Sequence, residues 1–480
     1  MSELTRGSRP RASRWRLSVN VIAVIVLASL TLAACGSAGS ATPVGSAMSS
    51  PASGSATPAS SVGSFPTEDL SLNLWWWGGD DAKGLKAWFD QAVAAYKVKH
   101  PNVTIVPVEQ TSDGLLTAFA AAAEAKQGPD IQYFWGGSWG MESVWKGALL
   151  PVSDYIPKDE LAHYLNASED TFDGKVWTAP FQLAPSFPVW YRKDVFDKLN
   201  VKIPATWDEM IAACDAFHAA GDGYSLFAGG IKDGWFGGWL WTLMGQQQLA
   251  NLGELMDAAV GADGKTMSDP AVAEYWNKLA DMQAHHCWND DIGSVALYDG
   301  QQIWRDGKAG ITVTGNIPEA MVTAAGGEDN IVIGTMPVWG TGPFANKIGS
   351  SSQTLGITSW TKYPQVGADF IQFLHTPEQQ AAQSELSGTF VADDRFDPAN
   401  LKSRIAKDFF ALAKVGGPYL ENFIPTQLDS DGIIKHSQLV LTGHESAVDA
   451  IAAVQALADR LKETQPEQAA NFATWAKSYK

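Results

Sequence analysis

The chain has 480 residues, of which 45% are hydrophobic and 18% are charged, and its formal net charge is −18 at pH 7. So acidic a chain is poorly suited to nucleic acids and anionic lipid surfaces, both of which attract basic proteins. It suits a neutral or cationic ligand. Three cysteines in so long a chain do not form a disulfide framework.

The first 34 residues have the features of a secretory signal peptide. A cluster of arginines precedes an apolar stretch that begins at Val21 and runs toward a Leu-Ala-Ala-Cys tetrad at 32–35. A basic head, a short apolar core and small residues before a cleavage site are typical of exported proteins. A transmembrane anchor is the less favoured alternative, because Ser29 and Thr31 interrupt a run already shorter than the roughly 20 residues that span a bilayer.

The tetrad resembles the lipobox of bacterial lipoproteins. This resemblance implies cleavage before Cys35 and lipidation of that residue, which holds a chain at the membrane surface. Residues 36–66 carry no charge and consist mainly of Ser, Ala, Gly, Thr and Pro, a composition that cannot bury enough surface to become ordered. We therefore predict that residues 35–66 are the lipidated cysteine and a disordered tether, and that the folded part begins at residue 67.

Strands and helices alternate over the first part of the predicted folded region. Alternating apolar residues predict strands over 70–77, 103–108 and 131–135, and apolar spacings of three and four predict helices over 85–96 and 115–123. This order implies parallel strands flanked by helices. In open sheets of that kind, ligands bind beyond the carboxyl ends of the strands.

Several different short motifs follow one another along the folded part of the chain. They are Val103–Val106, Gly128–Ile131, Leu150–Ile156, Asp173–Pro180, Trp190–Phe196, Pro204–Glu209, Gly307–Gly310 and Gly315-Asn316. In type and order they resemble motifs of the extracellular solute-binding proteins (family 1) of carbohydrate ABC importers, which include the maltose-binding group. The likeness extends over nearly the whole chain from about Leu70.

The resemblance implies an α/β fold of two lobes, the type II periplasmic-binding-protein fold. Each lobe is then expected to be a mostly parallel sheet flanked by helices, with hinge strands between the lobes. We expect lobe 1 to comprise residues 67–179 plus 316–375, and lobe 2 to comprise residues 180–315 plus 376–480.

The resemblance also implies a function. We expect a lipid-anchored monomer at the extracellular face of the cell membrane that captures a sugar or oligosaccharide between its lobes. The partners are then the permease subunits of an ABC importer. A binding protein of this kind requires no catalytic group, cofactor, metal ion or nucleic acid.

Tryptophan is unusually abundant, with 20 residues, and several of them follow predicted strands or lie among glycines. Aromatic faces stack on the apolar faces of sugar rings, while amides and carboxylates hydrogen-bond the hydroxyl groups. The candidate ligand-binding residues are Trp77, Asp80, Trp135, Ser138, Trp139, Trp235, Trp239, Asn316, Trp339 and Gln353. The same mixture suits a polyol or a quaternary amine, the latter through cation–π contacts, so a non-sugar solute is an alternative.

One pattern points to an enzyme instead. Residues 136–140 fit G-x-S-x-G and follow a predicted strand, as a nucleophile elbow does, and His436 and His444 lie downstream. A secreted esterase that uses Ser138 is therefore a further alternative. It is disfavoured because so short a pattern arises by chance in a glycine-rich chain, and because it follows only the third strand.

Two cysteines remain after the predicted processing, Cys214 and Cys287, and both are expected in the second lobe. Export permits a disulfide between them, but a buried free pair is equally compatible with the sequence. His285 and His286 precede Cys287, yet no second ligand pair lies at the spacing typical of zinc sites. We therefore expect no metal at this position.

Overall fold

In a computed structural model of the chain, residues 65–79, 81–184, 186–315 and 319–480 are described, without the side chains of residues 113, 319 and 320. The predicted signal peptide, Cys35 and nearly all of the tether lie outside the described residues. Within these ranges, no helix is both long and apolar enough to cross a membrane.

Twelve strands form in the described ranges. They are β1 (Leu70–Trp76), β2 (Val103–Glu109), β3 (Ile131–Phe134), β4 (Leu149–Leu150), β5 (Thr171–Phe172), β6 (Lys175–Val176), β7 (Thr178–Gln182), β8 (Val189–Arg192), β9 (Ser225–Phe227), β10 (Ala309–Val313), β11 (Ile331–Gly334) and β12 (Gln353–Thr358). The short strands β5 and β6 form a hairpin of their own.

Helices account for most of the remaining described chain. They are α1 (Leu85–Lys99), α2 (Ser112–Ala125), α3 (Ser138–Trp145), α4 (Lys158–Leu161), α5 (Lys193–Leu199), α6 (Trp207–Ala219), α7 (Phe236–Gly245), α8 (Leu252–Val260), α9 (Pro270–Ala284), α10 (Leu297–Gly300), α11 (Gln302–Arg305), α12 (Glu319–Ala324), α13 (Pro364–Leu374), α14 (Pro377–Ser387), α15 (Arg404–Lys414), α16 (Thr426–Leu428), α17 (Lys435–Leu441), α18 (Ala447–Thr464) and α19 (Pro466–Ala476).

The first sheet has the strand order β2-β1-β3-β12-β4, with β7 also paired to β12. Along β1, Leu70, Leu72 and Leu74 are buried and the residues between them are exposed, which is the predicted alternation. β1 pairs in parallel with β2 and β3. β12 arrives from far along the chain and pairs antiparallel with β3, β4 and β7.

The second sheet has the order β11-β8-β10-β9. β9 and β10 are parallel, whereas β8 is antiparallel to both β10 and β11. Both sheets are therefore mixed, and the prediction that each is mostly parallel was wrong in that detail. The reason is that strands returning from distant parts of the chain pair in the opposite direction to their local neighbours.

Two predicted lobe boundaries disagree with the pairing of elements. β11 was expected in lobe 1, but it pairs with β8 in the second sheet. α14 was expected in lobe 2, but it packs on α1 beside the first sheet, where Trp88 Nε1 donates to the Gln379 carbonyl at 3.1 Å. The boundaries at 315/316 and 375/376 therefore fall too early in the chain, because local motifs do not specify pairing partners.

Cys214 of α6 and Cys287, which follows α9, form a disulfide across 73 residues of sequence. Both cysteines are fully buried in the hydrophobic core around the second sheet. Of the two possibilities that the sequence left open, the structure therefore has the disulfide.

Candidate functional site

The carboxyl ends of β1 and β3 carry a cluster of aromatic rings. Trp77 directly follows β1 and Trp135 directly follows β3, and their ring centres lie 5.7 Å apart. Trp139, in the first turn of α3, is 5.7 Å from Trp135. All three side chains are partly exposed. They are hereafter called the first aromatic wall, and they come together because the carboxyl ends of adjacent parallel strands meet at one edge of a sheet.

The turn between β3 and α3 requires glycine. Gly136 and Gly137 have φ values of +86° and +53°, a region that side chains other than glycine rarely adopt. A Cβ atom on Gly137 would also lie only 2.3 Å from the backbone oxygen of Asn422. The glycine pair therefore allows the close approach that positions Trp135 and Trp139.

A second group of rings lies beside α7. Trp235 and Trp239 are 4.9 Å apart, Trp239 stacks on Phe187 at 3.9 Å, and Trp235 lies 6.0 Å from Tyr298 on α10. Trp235, Trp239 and Tyr298 are partly exposed. We call Trp235, Trp239, Phe187 and Tyr298 the second aromatic wall. The sequence did not single out Phe187 or Tyr298, which no local pattern distinguishes.

Asp81 lies in the segment between β1 and α1, shortly after Trp77 of the first wall. Its Oδ2 accepts hydrogen bonds from Gln182 Nε2 at 2.9 Å and from Gln353 Nε2 at 3.1 Å. Burial raises the pKa of Asp81, and the two amides oppose that rise. Burial also raises the pKa of Tyr298 to about 12, with the Asp81 charge as the second cause. The charge of Asp81, which follows the first wall in the chain, therefore acts on the hydroxyl group of Tyr298 in the second wall.

Residues 419–423, here called the connector, touch both walls. Asn422 Nδ2 donates to the Trp135 carbonyl at 3.1 Å, and the Tyr419 ring lies 5.4 Å from Phe187. The Leu420 amide donates to Thr242 Oγ1 of α7 at 3.2 Å. The sequence analysis did not identify this segment, because it becomes part of the site only through contacts with residues far away in the chain.

Eight of the ten predicted site residues fall into three groups, and Trp339 and Ser138 belong to none of them. Trp77, Trp135, Trp139, Trp235 and Trp239 come together in the two walls. Gln353 is buried at 2% exposure and donates to Asp81. Asp80 and Asn316 lie outside the described residues.

Trp339 contacts residues that are not part of either wall. Its amide donates to Gln247 Oε1 at 2.9 Å, and its ring lies 5.6 Å from Lys278 Nζ. Among the ring contacts of the described residues, none joins Trp339 to either wall.

Ser138 does not have the surroundings of a nucleophile. It is fully buried, and its hydroxyl donates to the Glu421 carbonyl at 3.3 Å. His436 Nδ1 pairs with Glu445 at 2.6 Å, and His444 Nδ1 pairs with Thr442 at 2.9 Å. Neither histidine is bonded to Ser138, so the esterase alternative loses the base that it requires.

Buried carboxyl groups lie within the connector and around it. Burial raises the pKa of Glu421 to about 8 and that of Asp429 well above its ordinary value. Burial likewise raises the pKa of Glu169 to about 8 and that of Asp170 to about 7. In the part of the chain that is described, neither side-chain oxygen of Asp429 has a hydrogen-bond partner. These groups are therefore stable in the folded chain chiefly in their protonated forms.

These carboxyl groups make the free energy of unfolding depend on pH. Between the ordinary glutamate pKa of about 4.3 and about 8, the folded state binds more protons than the unfolded state. The free energy of unfolding therefore falls as the pH rises through this window. We expect Glu421→Gln, which remains neutral, to reduce the fall in Tm between about pH 5 and pH 9 by several degrees.

Calorimetry of the wild type and the variant over this pH range measures the effect. The exposed Glu378 provides the matched control, because Glu378→Gln changes the same functional group at the surface and should leave the slope of Tm against pH unchanged. Equal slopes in wild type and Glu421→Gln would contradict the prediction.

The chain matches the family of bacterial extracellular solute-binding proteins. Their family model matches residues 91–399, which is more than half of the sequence, so the chain belongs to this family, as the sequence motifs predicted. A 126-residue segment is 32% identical to an uncharacterised ABC transporter extracellular-binding protein of Pyrococcus horikoshii. That match covers 26% of this chain and 29% of the relative.

Solved structures show the same fold. One, from a study of xylan utilization by the thermophilic bacterium Caldanaerobius polysaccharolyticus, has a TM-score of 0.68 at 20% identity and covers 81% of this chain and 100% of its own. A chitin oligosaccharide binding protein has a TM-score of 0.69 at 19% identity, with coverages of 82% and 98%. The predicted two-lobed α/β solute-binding fold is thereby confirmed.

Proposed function

We propose that this chain captures a sugar or oligosaccharide outside the cell and delivers it to the permease subunits of an ABC importer. The observation that carries the proposal is the pair of aromatic walls, with Asp81 close in sequence to the first and its charge acting on Tyr298 of the second. Sugar sites combine aromatic faces, which cover the apolar side of the ring, with a few polar groups that bond hydroxyls. The chitin oligosaccharide binding protein of similar fold supports this ligand class, and the Pyrococcus relative supports the transporter.

The first wall lies at strand ends of the first sheet, and Phe187, Trp235 and Trp239 of the second wall pack in or against the hydrophobic core around the second sheet, which suggests how capture works. We assign lobe 1 to the first sheet and lobe 2 to the second, with the ligand between them. A ligand that contacts both walls binds the closed form better than the open form, and this difference in affinity shifts the population toward closure. Lipidation at Cys35 then holds the monomeric protein at the extracellular face of the membrane, beside the permease.

A cationic solute is the second candidate, and a specific observation favours it. The Asp81 carboxyl group contributes to the raised pKa of both Tyr133 and Tyr298, after burial, which is the larger cause in each. Asp81 is therefore close to two aromatic residues. Aromatic rings around a carboxylate also recognise quaternary ammonium groups.

Titration of intrinsic tryptophan fluorescence in the full chain, purified in mild detergent, tests the proposal. The panel contains chitin and xylan oligosaccharides, monosaccharides, polyols and quaternary amines. We expect a saturable change with one sugar series and recovery of that sugar unaltered. A response to amines alone would identify a cationic solute as the ligand in place of a sugar. Consumption of the ligand would contradict a binding function.

A further inference from the structure

A buried group of ionisable residues contacts β7, the strand whose Gln182 donates to Asp81. The side chains of His375 and Asp393 are both fully buried. His375 Nδ1 lies 2.9 Å from Asp393 Oδ2, and His375 Nε2 lies 2.7 Å from the backbone oxygen of Pro180 in β7. Neither residue belongs to the aromatic walls.

The two contacts determine the protonation of His375. A backbone carbonyl can only accept a hydrogen bond, and an ionised carboxylate can only accept as well. Asp393 is ionised: burial alone would raise its pKa, but Arg395 donates to both of its carboxylate oxygens, from Nε to Oδ1 at 2.9 Å and from Nη2 to Oδ2 at 2.6 Å, and holds the pKa below its usual range. Both ring nitrogens of His375 therefore donate, so the ring is an imidazolium cation.

The ring is directly connected to the strand that supports Asp81. Pro180 pairs with Thr354 and Gln182 pairs with Gln353, and the register of β7 against β12 shifts between these two pairs. The shift places Gln182 and Gln353 opposite each other, where both amides donate to Asp81. Proline has no N–H group for the β ladder, so the hydrogen bond that its carbonyl accepts from His375 helps to fix this irregular stretch.

We propose that His375 is a positioning residue for the ligand site, which as an imidazolium holds β7 so that Gln182 and Gln353 present Asp81 to the ligand. When the ring loses a proton, only one nitrogen can still donate, and either Asp393 or Pro180 loses its hydrogen bond. Affinity for the ligand therefore falls as His375 deprotonates. This inference rests on the proposed function for its effect on affinity, but not for the link between His375 and Gln182.

Several charged or titratable groups face the ring from the surrounding elements. Arg395 Nη2 donates to Asp393 Oδ2 at 2.6 Å, and the same guanidinium contacts Glu160 at 2.6 Å. The Tyr164 ring stacks on His375 at 3.6 Å. Asp397 and Arg395 line a cavity of about 150 Å³ next to the ring. His375 is itself one of the residues that line this cavity.

The link is tested without ligand by ¹⁵N NMR of the full chain labelled at histidine and glutamine. We expect both nitrogens of His375 to carry protons at low pH. As the ring titrates, the Gln182 side-chain amide should shift with the same midpoint, and this shift should be absent in His375→Gln. A ring that is neutral throughout, or a Gln182 signal that does not follow it, would overturn the proposal.

Affinity for chitin oligosaccharides, measured from about pH 5 to pH 9, tests the consequence. We expect wild-type affinity to fall with rising pH by about fivefold more than that of His375→Gln, which should bind weakly. The raised pKa of Glu421 in the connector, about 8, is common to both proteins, so its effect cancels in this comparison. Asp81→Asn combined with His375→Gln should be no weaker than Asp81→Asn alone, since the two residues act through one pathway. Additive losses, or an unchanged pH profile in His375→Gln, would overturn the proposal.

Two further variants separate this effect from loss of structure. His163 is an exposed histidine paired with Asp394 at 2.8 Å, so His163→Gln should retain the wild-type pH profile. Gln182→Met leaves the His375 contacts in place and should remove the same part of the pH dependence as His375→Gln, even if His375→Gln folds poorly. If no sugar binds to the wild type, the proposed function is contradicted, but the NMR titration still tests the link between His375 and Gln182.

Discussion

Replacing Trp135 with alanine is expected to weaken the binding of the captured ligand by at least about tenfold, and adding Trp239→Ala by at least about a hundredfold. Trp135 lies within 5.7 Å of both Trp77 and Trp139, so its removal leaves a gap in the middle of the first wall. Trp239 belongs to the second wall. A ligand held between the walls loses one stacking contact on each side, and losses at separate contacts add.

The measurement is a fluorescence or calorimetric titration of each variant with the ligand found in the panel. Trp339→Ala is the matched control, because Trp339 is also partly exposed but packs near Lys278 at 5.6 Å. It should retain wild-type affinity. The two-wall site is rejected if Trp339→Ala weakens binding as much as Trp135→Ala, or if the double variant binds normally.

Removal of the disulfide is expected to lower the free energy of unfolding by about 2–4 kcal/mol. The bond between Cys214 and Cys287 closes a loop across 73 residues, and closing a long loop restricts the unfolded chain more than it restricts the folded one. Both sulfur atoms lie in the core of the second sheet. A double Cys→Ala variant therefore also tests how far that core depends on the crosslink.

Urea unfolding with and without a reductant provides the comparison. In the wild type, the reductant should lower the midpoint toward that of the double variant. In the double variant, it should have no further effect. A wild-type midpoint that does not respond to a reductant able to reach the unfolded chain would argue against a stabilising disulfide.

Local sequence patterns predicted the first part of the fold well. β1, α1, β2, α2 and β3 all occur near the predicted positions, because each has a clear apolar period over its own length. The membership of β11 and α14 was predicted wrongly. Their partners, β8 and α1, are far away in the sequence, and no local period identifies a distant partner.

The candidate site shows the same limit. The tryptophans of the two walls could be selected because they follow strand ends or lie between glycines. Tyr298, Asp81 and Asn422 could not be selected, since each is placed by long-range contacts. Gln353 was selected as a ligand contact, but its exposure depends on the register between β7 and β12, which sequence motifs do not encode.

The position of β12 in the first sheet has a consequence for synthesis of the chain. β12 lies between β3 and β4, so until residue 353 has been made β3 retains an unpaired edge, which invites association with other chains. The second sheet is built from residues 189–334 alone and can assemble earlier. A nascent chain that stops before residue 358 would therefore contain one complete sheet and one open one, and such truncated chains should aggregate.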